Sequence, residues 1–194
     1  MGKTYEKDLP QDYVVAKVID AKDTKFAVIM NIFCFVIVLG VVALTYFTIR
    51  PEDILKHMFE SVDQYFIFMF LLIFYIVMHE LVHGLAYKLL TRHKLTFGLT
   101  WSVAYCGVPD IYTYRKTSLI ALLSPFVIFN IIFFIAFLIL KSDVSMIYCS
   151  VLFGLHLGGC LGDLYDTYLL LFCYKDDLTL IHDDGPKQVI YIKR

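Results

Sequence analysis

The stretch IVMHELVHGLAYKLL, residues 76–90, sets two histidines and a glutamate inside a run otherwise apolar enough to cross a membrane. Ionisable side chains at such depth are costly unless they face a bundle interior or a water-filled cavity and have partners there. The neighbouring sequence has to explain why the chain carries them.

Hydrophobic residues make up 59% of the 194 positions, more than a soluble domain of this size needs. The excess gathers in four segments, about 26–49, 65–90, 117–140 and 144–174. Each exceeds the roughly 20 residues that a helix requires to cross the hydrocarbon layer. The expectation is an all-α polytopic membrane protein, with residues 1–194 forming one membrane-embedded domain of four transmembrane helices. The first apolar run follows about 25 largely polar residues and is too long for a cleaved leader, so it should persist as an anchor. Lysines and arginines divide fourteen to three between alternate sides, which places both termini in the cytoplasm.

A net charge of −1 and the lack of any basic run away from the membrane flanks give no reason to expect nucleic acid. The five cysteines (34, 106, 149, 160, 173) show no CxxC or CxxH spacing, so reduced thiols are expected rather than a zinc knuckle. At the two ends, YVVAKVID (13–20) and DLTLIHDDGPKQVIYIK (177–193) have strand-like spacing, the second around a DDGP turn. Together they predict a small cytosolic β element that ties the termini.

Between the second and third spans, LTFGLTWSVAYC (95–106) alternates Leu95, Phe97, Leu99, Trp101, Val103 and Tyr105 with smaller or polar residues. That period of two predicts a membrane-associated strand or hairpin with one apolar, aromatic face. At membrane depth its backbone would need protein or a polar cavity to satisfy it. The third span contains Pro125 and Asn130, and glycines 154, 158, 159 and 162 in the fourth permit close helix contact.

The chemistry concentrates in HELVH. His79 and His83 are four residues apart and so about 40° apart on one helix face, close enough for two imidazoles to hold one zinc ion. Glu80 then lies beside the ion, where a general base would take a proton from the attacking water. A catalytic zinc needs a third protein ligand. Asp163 and Asp166 of the fourth span offer one. His79 and Asp163 are each 11 residues from the cytosolic ends of their spans, a helix rise of about 16 Å in both cases. Spacing alone does not choose between the two aspartates, and the other would be a supporting group, a neutral acid or an interfacial charge. His156 lies two helical turns before Asp163, about 10 Å along a continuous helix, which favours a helix contact over direct ligation. Asn130 can orient a substrate amide or bond a neighbouring helix.

With these motifs the chain resembles a family of small bacterial membrane proteins, the putative zincin peptidases, related to site-2 intramembrane metalloproteases. The resemblance rests on HELVHG, then AYCGVPDIYTYRKTSLIALLSPF, then GDLYD and an acidic tail turn. It implies one Zn2+ per chain held by His79, His83 and Asp163, with Glu80 as base, in a bacterial cytoplasmic membrane. It also implies hydrolysis of a transmembrane or membrane-entering peptide, presented beside the strand Leu95–Tyr105. The chain departs from larger site-2 proteases in lacking a PDZ module and in carrying GDLYD where those have an Asn-Pro stretch leading into Leu-Asp-Gly. A non-catalytic zinc-binding adaptor or immunity-type protein is the alternative, and intact HExxH argues against it because a pure binder has no use for Glu80. A transporter is disfavoured by the lack of inverted repeats.

Overall fold

The computed structural model describes residues 3–49, 62–100 and 103–194. Its helices are α1 (Thr24–Ile49), α2 (Val62–Thr91), α3 (Arg115–Ile139), α4 (Asp143–Gly159) and α5 (Leu161–Tyr168), the last running into a π-helical turn, Leu169–Cys173. Among the described residues, four segments are long and apolar enough to cross a membrane: Thr24–Ile49, Tyr65–Thr91, Arg115–Ile139 and Asp143–Cys173. The fourth is interrupted, because α4 stops at Gly158–Gly159 and a new helix starts at Leu161. Paired glycines disfavour helix by about 1 kcal/mol each relative to alanine, and the break falls where they are.

Contacts divide the chain into two units. The first comprises Met1–Val28, Met78–Pro125 and Gly162–Arg194. It contains a five-stranded antiparallel sheet in the order β1 (Tyr5–Glu6), β5 (Tyr112–Tyr114), β6 (Leu180–Asp183), β7 (Lys187–Lys193) and β2 (Tyr13–Asp20). Pairing of β2 with β7, from Tyr13 opposite Lys193 to Asp20 opposite Lys187, joins the two ends of the chain. The DDGP segment turns the β6–β7 hairpin, with Gly185 at φ 94, a conformation that glycine adopts without steric cost. The sheet is larger than the terminal strands alone, since β5, from the connection after α2, pairs with both β6 and β1.

Residues 95–106 do not form one continuous strand. They fold into a hairpin of β3 (Thr96–Leu99) and β4 (Ala104–Gly107), and Trp101 lies outside the described residues. Thr100 closes the hairpin: its amide donates to the Val103 carbonyl at 2.8 Å, and its hydroxyl accepts from the Val103 amide at 3.0 Å. A side-chain hydroxyl competing for backbone groups ends a strand whose apolar alternation would otherwise continue.

Two apolar clusters hold this unit. Ile19, Leu122, Leu169, Leu170, Ile181 and Ile190 pack under the sheet. Ala86, Tyr87, Val108, Ile111 and Ala121 pack behind the histidine-bearing part of α2, joined by Leu95. Burying each large aliphatic side chain contributes about 1.5–3 kcal/mol. Asp23 caps α1 by accepting from the amides of Lys25 and Phe26, and α2 ends where Arg92 takes φ 61. Arg115 donates from Nε to the Leu170 carbonyl at 2.7 Å, satisfying a group that the π turn leaves open.

The second unit comprises Ile29–Val77 and Phe126–Leu161. Two of its glycines are contact points: a Cβ on Gly154 would lie 2.8 Å from Val38 Cα, and one on Gly158 would lie 2.8 Å from Cys34 Cα. Here α1 and α4 approach backbone to backbone, the packing that small residues allow. His156 is fully buried in an aromatic cage of Phe126, Phe129, Phe133 and Phe153. Its Nδ1 lies 3.0 Å from the Tyr75 hydroxyl, and Asn130 Nδ2 lies 3.3 Å from its Nε2.

Candidate metal centre

All of the HELVH motif lies in α2 within the first unit. His79 and His83 stand one turn apart, with ring centroids 5.0 Å from each other, and are only 7% and 8% exposed. Asp163, in the first turn of α5, meets both. Its Oδ2 lies 3.4 Å from His79 Nε2 and 3.2 Å from His83 Nε2. The break before α5 puts Asp163 in the first turn of a helix within the fourth apolar segment.

Those separations bear on the metal. Bonds of about 2.0–2.1 Å directed to the corners of a tetrahedron put neighbouring ligand atoms roughly 3.3 Å apart. The two nitrogen–oxygen separations, 3.4 and 3.2 Å, meet that requirement, and all three atoms lie within 4.8 Å of one another. The donor set of two imidazoles and a carboxylate also suits zinc. The His83 ring is oriented from behind: its Nδ1 lies 2.9 Å from the Ala121 carbonyl. A carbonyl can only accept, so Nδ1 carries the ring proton and Nε2 presents its lone pair to the site.

Glu80 is half-buried, and the Cys106 backbone N–H faces its carboxylate. The hairpin register accounts for this. Thr100 and Val103 exchange a ladder bond, so the groups of Ala104 and Cys106 point to the edge of β4 away from β3. Next along that edge, the Val108 amide donates to the Asp183 carbonyl at 2.9 Å.

Asp183 is only 2% exposed and links three elements. Tyr87, one turn beyond His83, donates to its Oδ2 at 2.8 Å, and the Gly185 amide donates to Oδ1 at 2.9 Å. Burial pushes the Asp183 carboxyl up to about 6, against the two hydrogen bonds that favour its charged form. Burial also pushes the Cys106 thiol up to about 12, with the carboxylates of Asp183 and Glu80 acting in the same direction. A thiol so held is protonated at neutral pH.

The remaining sequence candidates separate. Asp166 is buried one turn after Asp163, and its Oδ1 has no hydrogen-bond partner among the described residues. Asn130 and His156 belong to the second unit and bond each other there; Asn130 also donates to the Phe126 carbonyl at 2.6 Å. In the 95–105 stretch, Leu95 packs into the cluster behind α2 and Phe97 lies against Gly84. Leu99 is 78% exposed, Val103 is half-buried, and the Tyr105 ring covers Gly98 and Gly185. Sequence reasoning missed Tyr87, Asp183 and the Ala121 carbonyl. An acidic residue at the DDGP turn was the one visible signal among them.

Two histidines one helical turn apart, an aspartate meeting both and a glutamate beside the first have the make-up of a metallopeptidase-type centre. Residues 72–178, more than half of the chain, match the family model described as putative zincin peptidase, and the chain belongs to that family. The family description supports a zinc metallopeptidase. No curated protein and no solved structure matches the chain.

Proposed function

We propose that the protein is an intramembrane zinc metallopeptidase that hydrolyses transmembrane or membrane-entering peptides. The observation that carries this reading is the convergence of His79 Nε2 and His83 Nε2 on Asp163 Oδ2 at 3.4 and 3.2 Å. In it, His79, His83 and Asp163 hold one zinc ion per chain. A zinc ion bound there would supply Lewis acidity to the scissile carbonyl and to the attacking water. Glu80 takes the proton from that water and returns it to the leaving amine. The Ala121 carbonyl fixes the His83 ring, and the Cys106 amide steadies the Glu80 carboxylate.

Substrate enters as a strand added to the outer edge of β4, where the backbone groups of Ala104 and the Cys106 carbonyl point away from β3, rather than to the side chains of Leu95, Phe97 and Leu99. Pairing of β2 with β7 supports both termini lying on one side, and the lysine and arginine distribution supports the cytoplasm as that side, in a bacterial cytoplasmic membrane. The four long apolar helices support insertion in the bilayer.

The test is Glu80→Gln in protein reconstituted with transmembrane peptides, with cleavage read by mass spectrometry. Zinc content should stay at the wild-type level while hydrolysis falls by about 10²–10⁴. Undiminished hydrolysis would rule out Glu80 as the base, and zinc binding without hydrolysis in the wild type would favour the non-catalytic adaptor.

A further inference from the structure

Pro125 lies inside α3, four residues after Ala121. In an α-helix the N–H of residue 125 would donate to the carbonyl of residue 121, and proline has no N–H to donate. The carbonyl denied that bond belongs to Ala121, and it is the one that lies 2.9 Å from His83 Nδ1. Ala121 is fully buried, so the deprived oxygen needs a partner from within the protein. A buried carbonyl left unbonded would cost about 1–3 kcal/mol.

Both deficits close in one contact. The proline leaves an acceptor open on α3, and the ring N–H of His83, which needs an acceptor to point Nε2 at Asp163, fills it. The proline itself is fully buried, and its link to the site runs through the carbonyl four residues earlier. We infer that Pro125 is a positioning residue: by withholding its own N–H it reserves the Ala121 carbonyl for His83 and fixes which imidazole nitrogen faces the metal. The inference rests on the metal-site reading above. It explains why a helix otherwise suited to crossing a membrane carries a proline at this turn.

The experiment measures zinc affinity by chelator competition for the wild type, Pro125→Ala and Pro125→Gly. Alanine restores the N–H in a residue of strong helix preference. Glycine restores the N–H but keeps the backbone latitude to bend, so it separates the hydrogen bond from helix shape. Loss of an outer partner of a ligating histidine lowers metal affinity about 10- to 100-fold, and both variants should show a loss of that order. A second readout is deuterium exchange of the His83 ring N–H in the zinc-loaded protein, which should be slow in the wild type and faster in both variants. Wild-type zinc affinity in Pro125→Gly would overturn the inference, as would unchanged ring exchange in both variants. If the wild type itself bound no zinc, the metal-site reading would fall first, and the inference with it.

Discussion

Replacing Gly158 by alanine should destabilise the protein, whereas the same change at Gly162 should not. A Cβ at position 158 would lie 2.8 Å from both Cα and Cβ of Cys34 and closer still to its sulfur. Carbon atoms in favourable contact sit about 3.5–4.0 Å apart, so the Cys34 backbone would have to retreat by the best part of an ångström. Overpacking of that kind costs about 1–3 kcal/mol. At Gly162 nothing lies within 4 Å of the added carbon. There the change should be neutral or should stabilise by up to about 1 kcal/mol through alanine's better helix propensity. Both sites carry a propensity gain, so the difference between the variants isolates the steric part, about 1–3 kcal/mol. The assay is reversible unfolding in mixed micelles by titration with a denaturing detergent. Equal stability of the two variants would refute the close backbone approach at Gly158.

Two further outcomes follow from other contacts. A Cβ at Gly84 would lie 2.7 Å from Phe97 Cζ, so Gly84→Val should cost about 1–3 kcal/mol, and Phe97→Ala should recover much of it. A double-mutant cycle with strictly additive effects would contradict that packing. The Asp183 carboxyl, at about 6 in the folded protein against an ordinary value of 3.8, binds its proton more tightly when folded. Its contribution is therefore fully present below pH 4 and lost as pH rises through 6, about 3 kcal/mol in all. Unfolding measured from pH 4 to 7 should show that decline in the wild type and a decline smaller by about that amount in Asp183→Asn; identical slopes would contradict the burial argument.

Much of the centre is written locally. His79 and His83 share a face because they are four residues apart, and counting helix rise from the ends of two spans brings the region of Asp163 and Asp166 to their level without choosing between the two. The hairpin at the DDGP turn and the strand at 13–20 are equally local, since turn residues and β-branched spacing announce themselves. What escaped depends on pairings distant in sequence. Tyr87 and Asp183 are 96 residues apart, and neither carries a local signature of a buried hydrogen bond. The period-two pattern of residues 95–106 says which faces are apolar but not where the chain reverses, and the Thr100 side chain decides that. Pro125 was visible as a helix breaker, but the identity of the group that would use the freed carbonyl lay 38 residues away on another helix.

The central claim is that His79, His83 and Asp163 hold a metal ion. Zinc content of detergent-purified protein, by elemental analysis, tests it most directly for the wild type beside His79→Ala, Asp163→Asn and Asp166→Asn. About one zinc per chain in the wild type and in Asp166→Asn, lost from the other two, is the predicted result. No zinc in the wild type after metal reconstitution, or full retention in Asp163→Asn, would contradict it.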